Sequence, residues 1–245
     1  MNGGPESIIT GRPTFNNTAG GTRPAKNYKP EELLPAWDAL IRASGDLKES
    51  EGFRYDLVDV SRQVLANYAD TVQRDFAAAW AAKDYESYQE KVVLFLEIID
   101  DIDMLLGTQK DFLLGGWLNS AKMLGTNESE RRLYEKNARN LITLWGDRDA
   151  RLHEYSARQW NGMLSGFYKA RWQQFFDYVE QSKRSDSAPD YKAFEERMKD
   201  WEWNWVNSNE EYPALPKGNP VKTSVDLHLK YTKRLIAQYN KSDLR

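Results

Sequence analysis

Tyr55–Lys83 reads YDLVDVSRQVLANYADTVQRDFAAAWAAK, and the fold follows from its period. Leu57, Val58, Leu65, Tyr68, Val72, Phe76 and Trp80 recur mostly every three or four residues, which draws one apolar stripe along a helix. Asp84 stands where a helix cap is needed, and a second stripe follows over residues 85–106: Tyr88, Val92, Phe95, Ile99, Ile102 and Leu105–Leu106. Gly107 is a natural stop. Each helix has one face to bury, and the connection between them is short, so they are predicted to pack as antiparallel neighbours.

The same grammar extends outward. A first helix is expected near Pro30, since Pro suits a first turn, running through Trp37 and Ile41 to Gly45. A shorter helix is expected over about 110–124. Asn127 and Glu130 look like a capping box opening a helix that reaches Trp145. Another is expected over about 152–181, carrying Tyr155, Trp160, Leu164, Trp172 and Phe176. Asp190 can cap a helix with Phe194, Met198, Trp201 and Trp205. The Pro-rich stretch 212–220 reads as a loop, and a last helix covers about 224–240. Residues 1–27, rich in Gly, Thr, Asn and Pro without periodicity, read as an extended N-terminal arm or linker. Residues 28–245 read as one helical domain. The fold class is all-α: a bundle of long antiparallel helices with short connections and no sheet.

Composition narrows the function. Hydrophobic residues are 40% and charged residues 29%, ordinary for a globular protein. The net charge of -3 gives no basic footprint, so no nucleic-acid partner is expected. There is no Cys, which excludes disulfides and thiol chemistry, and the two His residues lie far apart in sequence. No metal site or cofactor is expected. No apolar run approaches the roughly 20 residues of a membrane span. The N-terminus lacks the basic-then-apolar order of a secretory leader, so the chain as written is expected to stay in the cytoplasm.

Sequence signatures of catalysis are missing: no G-x-S-x-G, P-loop or H-E-x-x-H occurs. Asp100, Asp101 and Asp103 form an acidic run, but consecutive helix residues do not face one point, and a solvated helix face is the simpler reading. Asp147-Arg148-Asp149 likewise reads as a solvated loop. The richest segment is Asn137-Ala-Arg-Asn-Leu-Ile-Thr-Leu-Trp-Gly146, which sets Trp145, Leu152 and Tyr155 around one helix–loop–helix corner. Such rings either plug the core or face a cleft, and spacing alone favours the core. A sugar's C–H faces would nonetheless find a natural platform there.

Several runs resemble one family in order and spacing. Phe53-Arg-Tyr-Asp-Leu-Val-Asp-Val-Ser-Arg-Gln63, Phe112-Leu-Leu-Gly-Gly-Trp-Leu118, Asn137–Gly146, Glu154-Tyr-Ser-Ala-Arg-Gln-Trp160 and Gly166-Phe-Tyr-Lys-Ala-Arg-Trp172 are similar to motifs in the C-terminal helical region of α-N-acetylglucosaminidases (glycoside hydrolase family 89). The likeness is strongest over about 53–176. Asp147 stands where the family often has Pro, and Phe167 where it often has Tyr.

The resemblance implies an exo-glycosidase that releases terminal α-linked N-acetylglucosamine from a glycan. Its two catalytic carboxylates lie on a barrel domain that precedes the helical region. No segment here matches that barrel, so no catalytic residue is assigned to this chain. The implied partners are the catalytic barrel of the same enzyme and the terminal N-acetylglucosamine. The implied sugar-binding residues are Trp145, Leu152 and Tyr155, forming one wall of the pocket. Arg54, Asp56, Asp59, Arg62 and Trp117 are implied to be architectural. The barrel-facing side should expose apolar area, which would also permit self-association. Family members are typically secreted, periplasmic or lysosomal. The alternative is a free-standing helical module that binds a carbohydrate or a protein without hydrolysis.

Overall fold

The computed structural model describes residues 7–16, 26–150, 156–185 and 187–242, with side chains as far as Tyr239. Its centre is the hairpin of α1's two successors. Helix α1 spans Leu34–Leu47, α2 Glu51–Ala81 and α3 Tyr85–Leu106. Ser50 caps α2, its hydroxyl accepting from Phe53 N at 3.4 Å, and Asp84 caps α3, its carboxylate accepting from Ser87 N at 3.2 Å. The connection is short enough to put Lys83 at φ 60°. Leu57, Val58, Leu65, Val72 and Phe76 of α2 and Tyr88, Val92, Phe95, Ile99 and Ile102 of α3 are buried, as the stripes predict.

The remaining helices are α4 (Leu114–Lys122), α5 (Glu128–Leu141), α6 (Ala170–Arg184), α7 (Tyr191–Val206) and α8 (Pro220–Ser242). Helix α8 packs on α1, α2 and α3; α4 and α5 pack on each other, and α7 lies against α5 and α6. No strand occurs among the described residues, and the architecture is all-helical. Helix α8 begins four residues earlier than its stripe suggests, because Asn219 caps it by accepting from Lys222 N at 3.0 Å and Pro220 suits the first turn. Helix α1 likewise runs past Gly45 to Leu47.

Two expectations change. The helix expected over about 152–181 is helical, among the described residues, only from Leu164, with a π-helical turn over Leu164–Lys169 that leads into α6. Residues 156–162 are irregular. Ala157 at φ 45° and Gly162 at φ 81° have left-handed backbones that no α-helix tolerates. Asn161 is captured instead by the start of α4, donating its N–H to Phe112 O at 2.8 Å and accepting from Leu114 N at 3.1 Å. The acidic run also differs from a solvated face. Asp100 pairs with Lys169 at 2.6 Å, and Asp101 with Lys230 and the Tyr231 hydroxyl, both at 2.6 Å. Asp103 accepts from Gly162 N at 2.8 Å and Ser165 N at 3.2 Å, anchoring the turn that opens the π-helical segment.

Aromatic rings fill the core. Phe95 lies 4.8 Å from Trp172 and 5.4 Å from Phe76, both edge-on, the arrangement that ring quadrupoles favour. Of the expected N-terminal arm, the described part is locked onto this core: Ile8 and Ile9 are buried, and Trp172 Nε1 donates to Ile9 O at 3.2 Å. Arg171 donates to Thr10 O and Gly11 O at 2.9 and 2.8 Å, and pairs with Glu202 at 2.7 Å. Both side chains of that pair are 0% exposed. Arg12 reaches the other oxygen of Glu202 at 2.7 Å.

Candidate functional site

Helix α5 ends at Leu141, earlier than its sequence suggests, and the turn that follows buries the three side chains of Ile142, Thr143 and Leu144 before exposing the next. Ile142 and Leu144 are buried in the core, while Trp145 is 44% exposed. Trp145 has φ 55°, a left-handed backbone that is a genuine outlier for a bulky residue and costs of order 1–3 kcal/mol. The surrounding bonds hold it there. Its N–H donates to Asn140 O at 2.9 Å. The Asn140 side chain brackets the next residue, with Oδ1 accepting from Gly146 N at 3.0 Å and Nδ2 donating to Gly146 O at 2.7 Å. Gly146 must be glycine, since an added Cβ would lie 2.6 Å from Ala150 Cβ.

Arg148 fastens the far side of the loop. It pairs with Asp149 at 2.7 Å and reaches α7 through Glu196 at 3.1 Å and Asp200 at 2.6 Å. This replaces the expected solvated loop with a tie between two elements. These carboxylates hold the Arg148 guanidinium above its ordinary pKa, the hydrogen bond it donates to Asp200 being the largest cause.

Beneath the loop, Arg139 is buried against Glu135 at 2.7 Å and lies 4.8 Å over the Trp205 ring. The Tyr212 ring sits in a glycine-lined slot, where a Cβ at Gly162 or Gly166 would come within 2.7 Å of it. Its hydroxyl accepts from Trp205 Nε1 at 3.0 Å and donates to Glu210 at 2.9 Å. Burial above all pushes the Tyr212 hydroxyl up to about 12, so it stays a neutral donor.

Beside α5, Trp117 donates Nε1 to Ala138 O at 3.0 Å and lies 5.9 Å from Trp160, over which Arg158 sits at 5.7 Å. Of the other family-motif residues, Arg62 pairs with Asp59 at 2.8 Å and Arg54 donates to Lys48 O at 2.9 Å. Met123, Leu124, Leu133 and Leu141 add exposed apolar side chains on and between α4 and α5, Met123 reaching 84%. The arrangement offers an exposed indole platform on a turn tied by Asn140 and Arg148, with Leu141 the exposed apolar side chain nearest it in sequence. Of the three sugar-binding residues expected from sequence, Trp145 lies in this corner, while Leu152 and Tyr155 fall outside the described residues. Asn140 and Arg148, which shape the loop, carry no motif signature that would have singled them out.

Comparison with known proteins gives this corner its context. Residues 1–230 match the family described as Alpha-N-acetylglucosaminidase (NAGLU) C-terminal domain. Human alpha-N-acetylglucosaminidase is 29% identical over 211 residues, covering 86% of this chain and 28% of that protein. A family 89 glycoside hydrolase from Clostridium perfringens, solved with 2-acetamido-1,2-dideoxynojirmycin, superposes with a TM-score of 0.80 at 27% identity, covering 91% of this chain and 26% of its own. The same hydrolase solved with PUGNAc gives a TM-score of 0.82 at 26% identity, over 92% and 26% of the two chains. A third structure holds GlcNAc-alpha-1,4-galactose, named there as its substrate. The chain thus spans about a quarter of the length of these relatives. With a match across nearly its whole length, this chain belongs to the family of α-N-acetylglucosaminidase C-terminal domains.

Proposed function

We propose that this chain supplies one wall of the sugar pocket of an α-N-acetylglucosaminidase, the catalytic carboxylates being provided by a barrel domain outside its residues. Trp145 is the stacking platform for a terminal N-acetylglucosamine, and Leu152 and Tyr155 share in binding the sugar. The observation that carries this reading is the exposed indole held on a left-handed backbone. Strain of that kind persists only where neighbouring structure over-determines it, and such positions cluster at ligand sites. The chain's quarter share of its relatives' length is what a partner catalytic domain requires. Exposed apolar side chains at Met123, Leu124, Leu133 and Leu141 suit packing of that domain along α4 and α5. Without it, the same surface would favour self-association.

Hydrolysis of a glycoside by this route needs an acid and a nucleophile or base flanking the bond. The helical chain by itself is therefore expected to leave an aryl α-N-acetylglucosaminide intact. Turnover by the lone chain that vanishes on replacing one of its own carboxylates would overturn the reading. With the catalytic domain present, Trp145→Ala should lower kcat/KM roughly ten- to hundredfold, the loss of one buried stacking contact of about 1–3 kcal/mol.

A further inference from the structure

Asn140 commits more of itself to the Trp145 turn than its place at the end of α5 requires. Its carbonyl accepts from Thr143 N at 3.1 Å and from Trp145 N at 2.9 Å. Its side-chain amide closes a two-bond ring on Gly146, one bond to the N–H and one to the carbonyl. A side-chain amide carries its donor and its acceptor on separate atoms and so can serve the N–H and the C=O of one residue together, whereas a carboxylate has no proton to donate to the C=O. Leu144 is fixed on one side by burial and Gly146 on the other by Asn140, so the direction in which the indole leaves the backbone is set from both ends. Without the bracket, Gly146 is released and Trp145 can relax to negative φ, turning its ring away.

We infer that Asn140 is a positioning residue for sugar recognition, acting through the Trp145 indole. The inference rests on the reading of Trp145 as the sugar platform, but its structural half can be measured separately.

The test uses this chain labelled at its indole nitrogens. The Trp145 resonance is identified by its loss in Trp145→Phe. In Asn140→Ala that resonance should move, while those of the buried Trp37 and Trp172 stay. Asn140→Asp keeps the acceptor for Gly146 N–H and loses the donor, so it should give a smaller shift of the same resonance. A stationary Trp145 signal overturns the inference. So does a shift of all the buried indoles, which would make Asn140 a general support of the fold.

The kinetic arm adds the catalytic domain and an aryl α-N-acetylglucosaminide. Asn140→Ala should lower kcat/KM about tenfold, mainly through KM, and should have no further effect in a Trp145→Ala background. Equal losses in both backgrounds would show that Asn140 acts elsewhere and would sink the proposal. If Trp145→Ala leaves the kinetics unchanged while Asn140→Ala still moves the indole, the sugar-platform reading fails and the positioning of the indole stands.

Discussion

Trp172 and Trp145 are the same side chain used in opposite ways. Trp172 lies wholly buried on α6, with rings of Phe95 at 4.8 Å and Phe176 at 5.7 Å and its indole N–H bonded to the N-terminal segment. Its backbone is ordinary helix. Trp145 is nearly half exposed, and the strain lies in its backbone. In the first region the ring stabilises the fold. In the second, the fold accepts strain to keep a ring outside. Mutations should therefore separate the two regions, with large stability losses in one and functional losses with stable protein in the other.

The largest effect is expected at Glu202. Replacing it with Ala leaves Arg171 buried without its carboxylate and removes one of the two carboxylates that meet Arg12, Glu195 being the other. Breaking a buried pair from one side costs about 3–5 kcal/mol. For a domain of this length, that lowers Tm by roughly 10 °C. Thermal unfolding followed by circular dichroism measures this directly, and a loss below about 1 kcal/mol would mean that the buried side is not organised by this pair.

Next come two glycines of opposite character. Gly162 has φ 81°, and a Cβ there would meet the Tyr212 ring at 2.7 Å, so Gly162→Ala combines backbone strain with overlap. A loss of about 2–4 kcal/mol is expected. Gly45 lies inside α1 with open space where a Cβ would go, and Gly45→Ala should stabilise by about 0.5–1 kcal/mol. Denaturant titration of the pair tests whether the irregular crossing at 156–162 is fixed by Tyr212. Equal effects at both positions would rule that out.

The site side of the comparison predicts a trade-off. Glycine tolerates the left-handed backbone that costs Trp145 energy. Trp145→Gly should therefore relieve that strain and offset most of what the half-buried indole contributes, leaving the isolated chain within about 1 kcal/mol of its original stability while removing the sugar platform. A fall in stability of more than about 1 kcal/mol would show that the indole serves the core after all.

Much of this was legible in the sequence because helical periodicity and capping are local. The stripe from Leu57 to Phe76 is buried as read, and Asp84, Asn127 and Asp190 accept from first-turn N–H groups of the helices they precede. Long-range capture was not legible. Nothing near Asn161 announces that Phe112, far back in the chain, will take its N–H, and Ile8 and Ile9 have no periodicity to signal burial. At the site, the motif pointed to Trp145, but its φ depends on Asn140 bonds that no spacing encodes.

Asp103 sits at the seam of the two regions and gives the smallest effect. It projects from α3, the core hairpin, and accepts from Asn161, Gly162 and Ser165 on the crossing beside α4. Burial pushes its carboxyl above the usual range, outweighing the N–H bonds that would lower it. The folded chain then holds the proton more readily than the unfolded one. The Asp103 contribution to stability is fully present below the unfolded value of about 3.9 and is lost as pH rises through the folded value. Relative to Asp103→Asn, which cannot ionise, the unaltered chain should lose stability over that interval. Urea unfolding of both proteins at a series of acidic pH values gives the difference curve. An opposite slope would mean that the hydrogen bonds outweigh burial, and that Asp103 belongs with the exposed helix caps instead of with the core.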